Sequence, residues 1–169
     1  MQIVENEGDF VTNVKRALDD IDSSFMDYPG IIICGTHSPD GLDEKIRMIK
    51  EAREKGIPFL GVCHGHQLAC LEYCRNVLGI KDATSEEFGQ EYGKSSTYVI
   101  KKLPGLRVGI QEVDGRMESF WNNYEIDSAI LKQWKKPSWF FTAQFHPEYA
   151  EKHPLLVEFI NYAKSMQNK

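Results

Sequence analysis

Two short segments decide how this chain is read: Gly61-Val62-Cys63-His64-Gly65-His66-Gln67, and Phe145-His146-Pro147-Glu148. In the first, an apolar run meets the start of a helix, with a cysteine at the junction. Glycines at 61 and 65 relieve backbone clashes in a cramped strand-to-helix turn and leave the sulfur exposed. Peptide N–H groups just after such a residue lie at a helix N-terminus, which favours negative charge there. In the second, an apolar run stops at a histidine with a carboxylate two residues on. His146 then serves as base and acid with Glu148 orienting its ring, the general logic of a Cys-His-Glu triad. Taken singly, each segment also has a plainer meaning, a buried small hydrophobe or a surface turn. Both fall at the ends of predicted strands, where an α/β sheet places its chemistry.

The rest of the chain supplies that sheet. Ile31 to Cys34 and Ile57 to Val62 are continuous apolar runs, as expected of strands buried on both faces. Phe10, Val11, Val14, Ala17 and Leu18 keep a helical period, and so do Ile46, Ile49 and Ala52 within a helix from Leu42 to Lys55 that Gly56 ends. A helix from His64 to Leu78 follows the cysteine. Repeated strand, loop and helix imply parallel strands with helical crossovers. Thr97–Lys101, Leu106–Glu112 and Met117–Trp121 read as shorter strands, separated by Pro104-Gly105 and Asp114-Gly115 and expected to be antiparallel. Asp127 caps a short helix to Trp134, Trp139 to Phe145 delivers His146, and Pro154 to Met166 closes the chain. The expected fold is a mostly parallel central sheet with helices on both faces, flavodoxin-like, carrying a small antiparallel extension. Residues 1–169 are read as one domain, with Trp121, Trp134, Phe140 and Phe141 in its core.

With 169 residues, 41 % hydrophobic and 27 % charged, the composition is that of a globular protein with one core. The net charge of −5 argues against nucleic-acid binding over a broad basic surface. No stretch reaches the length of a membrane span, and Met1 to Glu7 lacks the character of a signal peptide. The four cysteines form no CxxC pattern, so a reducing, cytoplasmic setting is expected. Cys63, His66, Cys70 and Cys74 recur on successive turns of one helix face, about 5.4 Å apart, too far to surround one ion. No metal site is expected; Cys70 and Cys74 are read as core.

With these residues in place, the chain resembles class I glutamine amidotransferases, and within them the glutaminase domains of CTP synthases. The Gly-x-Cys-x-Gly-x-Gln elbow and Phe145-His146-Pro147-Glu148 carry the wider likeness. Pro58 to Cys63, Ala83-Thr84-Ser85-Glu86-Glu87-Phe88, Leu106 to Gln111, Tyr124-Glu125-Ile126 and His153-Pro154-Leu155 carry the narrower one. The resemblance implies hydrolysis of a γ-glutamyl amide through a thioester on Cys63, without cofactor. Backbone N–H groups of Gly35 and His64 would form the oxyanion hole, Gln67 would support the loop around bound glutamine, and Glu87 would hold its α-ammonium. Thr36, His37 and Asn123 would complete the substrate site.

Two departures from that pattern matter. Where the family has Gly-Gly-x-Gly, this chain has Gly35-Thr36-His37-Ser38, so the loop must run differently. Where the family has an arginine for the α-carboxylate, this chain has Asn123, leaving Arg107 or Arg116 as substitutes. No Gly-x-x-x-x-Gly-Lys loop occurs, so a separate synthetase would use the ammonia. Two alternatives stand beside this expectation: a partner-independent hydrolase of another γ-glutamyl amide, and a catalytically silent binding homologue.

Overall fold

The computed structural model describes residues 1–4, 9–36, 40–88 and 96–167. Four strands, β1 (Gln2–Ile3), β2 (Ile31–Ile33), β3 (Phe59–Val62) and β7 (Phe140–Ala143), form one sheet in the order β1-β2-β3-β7. Every pairing in it is parallel. The strands are short, and all but β1 are buried throughout.

Alternation along these strands builds two cores. Ile31, Ile33, Phe59 and Phe140 point to one side and pack with α2 (Leu42–Lys55) and α3 (His64–Asn76). Ile32, Leu60, Val62 and Phe141 point to the other and pack with α1 (Asp9–Asp19) and the last helix, α5 (Pro154–Met166). Side chains on a strand face opposite ways in turn, so an unbroken apolar run buries itself only between two helical layers. Cys70 and Cys74 lie in the first of these cores.

The middle of the chain differs from the sequence expectation. Ala83–Ser85 is a strand, β4, which the polar triplet Ala-Thr-Ser did not announce. The three expected strands are two: β5 (Thr97–Val113) and β6 (Arg116–Ile126), joined at Asp114-Gly115 as a long antiparallel hairpin. Pro104-Gly105 does not end a strand. The register slips between Lys102 and Arg107, so β5 absorbs the proline in an irregularity instead of stopping. With β4 parallel to β5, these strands make a separate three-stranded sheet. A short helix, α4 (Ser128–Gln133), follows, with the Asp127 carboxylate accepting from Ala129 N–H. No helix among the described residues is long and apolar enough to cross a membrane.

One close approach positions the elbow. A methyl group built on Gly65 would overlap the Ile33 carbonyl of β2, and one on Gly61 would stand 2.9 Å from the Gly65 carbonyl. The first turn of α3 thus lies directly against the strand ends, a spacing that only glycine permits. Gly65→Ala is expected to lower the free energy of unfolding by about 3 kcal/mol. Gly105→Ala, whose new methyl meets nothing within 4 Å, should change it by less than about 0.5 kcal/mol. Urea denaturation measures both, and equal midpoints would contradict the close-packed elbow.

Candidate active site

The strand order decides which residues meet. β3 lies between β2 and β7, so the loops leaving their C-terminal ends converge. Gly35 follows β2, Cys63 follows β3, and His146 follows β7. A methyl group on Gly35 would stand 3.2 Å from His146 Cε1 and 3.6 Å from Cys63 Cβ. The three residues therefore share one point in space, though they lie far apart in sequence.

Cys63 has φ 52° and ψ −101°, one of three non-glycine residues with positive φ among those described. Such a conformation costs on the order of 1–3 kcal/mol and is held only when its surroundings insist. Here the Cys63 N–H donates to Ala143 O at 2.8 Å, extending the β3–β7 ladder to the cysteine itself. Immediately beyond, His64 opens α3, and its N–H has no partner within the helix. Gly35 lies just past the last rung of the β2–β3 ladder. The start of α3 and the loop after β2 thus both border the cysteine.

His146 and Glu148 form a buried pair, Nδ1 to Oε1 2.8 Å, with both side chains shielded from solvent. A carboxylate only accepts, so the proton lies on Nδ1 and Nε2 is left for chemistry. The ring is stacked on Phe10 at 5.1 Å between centroids. Its backbone N–H donates to Ser119 O of β6 at 2.8 Å. β6 also grips the start of α5, where Glu118 meets His153 Nε2 at 3.0 Å. Burial alone drives an imidazole toward its neutral form. The nearby Cys63 sulfur and the hydrogen bond to Glu148, together with their charges, outweigh that burial and raise His146 to about 10. Nε2 makes no hydrogen bond of ordinary geometry in this resting arrangement. The formed contacts of the sulfur are with the Trp121 carbonyl at 3.7 Å and Gln144 Nε2 at 3.5 Å.

The other two histidines at the elbow are poor bases. Burial, then the positive charge of Lys45, takes His64 down to about 3. Burial and the charge of Lys136 do the same to His66. The neutral His64 ring packs edge-on to Phe88.

A cavity of about 50 Å³ opens beside the sulfur, lined among others by Gly35, Thr36, Cys63, His64, Gln67 and Glu87. That is room for a carboxamide on a short linear chain. The far wall is β6, residues Trp121, Asn122, Asn123 and Tyr124. Glu87, set just past β4, stands at the mouth, and partial burial pushes its carboxyl group up. Gln67 does not cap local backbone: its Nε2 donates to Tyr124 O at 2.8 Å and to Gln144 Oε1 at 3.0 Å. Thr36 and Asn123 line the cavity, whereas His37 lies outside the described residues.

Three expectations need correction. Arg107 pairs with Glu125 at 2.8 Å and Arg116 approaches Glu118 at 3.6 Å; neither is among the lining residues. They are held by carboxylates of their own sheet and do not replace the arginine that Asn123 displaces. Trp121 is half-exposed, not core, because alternation along β6 turns Phe120 and Asn122 inward and Trp121 out. The sequence also missed Gln144, Asn122 and Phe10 as site residues. Gln144 was in plain view, directly before Phe145-His146. Asn122 gives Nδ2 to Tyr124 O at 2.9 Å and keeps a buried Oδ1 with no partner among the described residues.

The pattern of the class I glutamine amidotransferase family matches residues 4–154. The CTP synthase of Bdellovibrio bacteriovorus is 30 % identical over 78 % of this chain and 34 % of its own length. That of Pelagibacter ubique is 28 % identical over 92 % of this chain and 39 % of its own length. The chain thus spans little more than a third of the curated relatives it matches. Among solved structures, the glutaminase domain of Trypanosoma brucei CTPS, determined with bound acivicin, superposes with a TM-score of 0.76 at 21 % identity. The superposition covers 96 % of this chain and 92 % of that one, a likeness of fold.

A pH dependence follows from the buried pair. His146 is raised above its ordinary value of 6.5. Its stabilisation is therefore fully present below that value and is lost as pH rises through about 10. NMR titration of the His146 ring is expected to show a midpoint near 10, moving lower in Glu148→Gln. A midpoint near 6.5 that ignores Glu148→Gln would refute the charge-paired ring.

Proposed function

Because the chain belongs to the class I glutamine amidotransferase family, we propose that its cleft hydrolyses the side-chain amide of glutamine through a thioester on Cys63. The observation that carries this proposal is the positive-φ Cys63, fixed at a strand end beside the buried His146–Glu148 pair. The Cys63 proton passes to His146 Nε2, which leaves the sulfur anionic. Sulfur attacks the carboxamide carbon, and the carbonyl electrons move to oxygen, where the N–H groups of Gly35 and His64 receive the charge. His146 gives its proton to the departing nitrogen as the C–N bond breaks, releasing ammonia. The same imidazole, now neutral, takes a proton from water as that water attacks the thioester, and glutamate leaves. Glu148 holds the ring in one tautomer throughout.

Glutamine enters with its ammonium toward Glu87 and the unpartnered Asn122 Oδ1, both acceptors. Its carboxylate meets Thr36 and Asn123, neutral groups; no Lys or Arg occurs among the described lining residues. Gln67 braces the β6 wall against which the substrate lies. A synthetase is the proposed consumer of ammonia, since the chain matches little more than a third of the length of the CTP synthases it resembles. The four cysteines are free, which suits a reducing, cytoplasmic setting.

Glutamate release from glutamine tests the chemistry. Cys63→Ala is expected to abolish it, and release at the parent rate would end the proposal. Asn123→Arg restores a charged partner for the carboxylate. It should lower KM for glutamine about tenfold, as one charge-assisted hydrogen bond of roughly 1.5 kcal/mol implies, with less effect on kcat. An unchanged KM would place the carboxylate elsewhere.

A further inference from the structure

The Tyr124 carbonyl lies at the head of a chain of amides that ends on the sulfur. A carbonyl oxygen has no proton to give, so the groups bonded to it must turn their NH₂ ends toward it. Gln67 does so at 2.8 Å and Asn122 at 2.9 Å. The Gln67 NH₂ also reaches Gln144 Oε1 at 3.0 Å. Gln144 is thereby committed: with its oxygen facing Gln67, its NH₂ faces Cys63 Sγ, 3.5 Å away. A single backbone carbonyl on β6 thus fixes the polarity of an amide two residues removed from it.

We propose that Gln144 is the hydrogen-bond donor that holds the Cys63 sulfur in its anionic state, and that Gln67 is the positioning residue that aims it. This rests on Cys63 being the nucleophile. The resting thiol points at the Trp121 carbonyl, 3.7 Å away. Once the proton leaves, that carbonyl repels the sulfur and cannot hold it. Among the described side chains, Gln144 then offers an uncharged N–H to the thiolate and remains bound whichever way His146 is protonated. The titratable groups around the sulfur are His146 from the turn after β7, Glu148 behind it, and His64 of α3, Glu87 and Tyr124 of β6 in the cavity wall. His146 gives up its proton during each turnover, so a donor that never changes charge keeps the leaving sulfur in place while the thioester breaks. Hydrogen bonding to the charged form favours that form.

The test is alkylation of Cys63 by iodoacetamide as a function of pH, with the label located by peptide mass spectrometry. Gln144→Leu removes the donor, and the midpoint of the alkylation profile should rise by about one pH unit, a tenfold loss of reactive sulfur at fixed pH below it. Gln67→Glu acts from one residue further away: its carboxylate draws the Gln144 N–H to itself and off the sulfur. The midpoint should rise in that variant also, with Gln144 untouched. Gln67→Glu adds no bulk, so it keeps the proposal open to refutation if Gln144→Leu does not fold. Unchanged midpoints in the folded variants would overturn the proposal. A shift in Gln144→Leu alone would overturn the aiming role of Gln67. Failure of the nucleophile assignment looks different, as glutamate release that survives Cys63→Ala.

Discussion

The site depends on how closely α3 begins against the end of β2. Gly65 lies so near the Ile33 carbonyl that no larger residue fits, and the chain reaches that position only by turning sharply at Cys63. The positive φ at the cysteine is the cost of that turn, and the β3–β7 ladder holds it there through the Cys63 N–H. From this one constraint the rest follows: the sulfur points out of the sheet, the helix presents its open N–H groups beside it, and the neighbouring strands bring Gly35 and His146 to the same point. The meeting of Cys63, Gly35 and His146 is thus a consequence of packing a helix too close for a side chain.

Electrostatics then decides which groups act. Three histidines crowd the elbow, and burial would silence all of them. Only His146 has a carboxylate and a sulfur close enough to overcome that burial. His64 and His66 face lysines instead and stay neutral. The β6 hairpin finishes the arrangement, since its carbonyls at Ser119, Trp121 and Tyr124 hold the His146 backbone, the thiol and the Gln67 amide in turn. A strand outside the main sheet therefore sets the fine geometry of residues that the main sheet delivers.

Much of this was legible in the sequence, for a physical reason. Ile31 to Ile33 and Phe59 to Val62 are apolar without interruption, and only strands covered on both faces require that. The helix from Leu42 to Lys55 and that from Pro154 to Met166 have the expected limits, because glycine and proline act locally. Glycine spacing and strand ends singled out Cys63, His146 and Glu148, and the fold brings these three side by side. What escaped notice depends on tertiary contacts. β4 is three small residues whose strand character comes from pairing with β5. β5 runs past Pro104-Gly105 because its partner strand continues. Gln144 and Asn122 look like ordinary polar residues until the Tyr124 carbonyl fixes which end of each amide points where. Arg107 and Arg116 look available until Glu125 and Glu118 are found beside them.

The most direct test of the account is to look for the bond it requires. Mixing the protein with glutamine, quenching in acid within the first turnovers and weighing the intact chain should reveal one glutamyl group, which peptide mapping places on Cys63. Glutamate formation with no such adduct, or with the group on another residue, would contradict it.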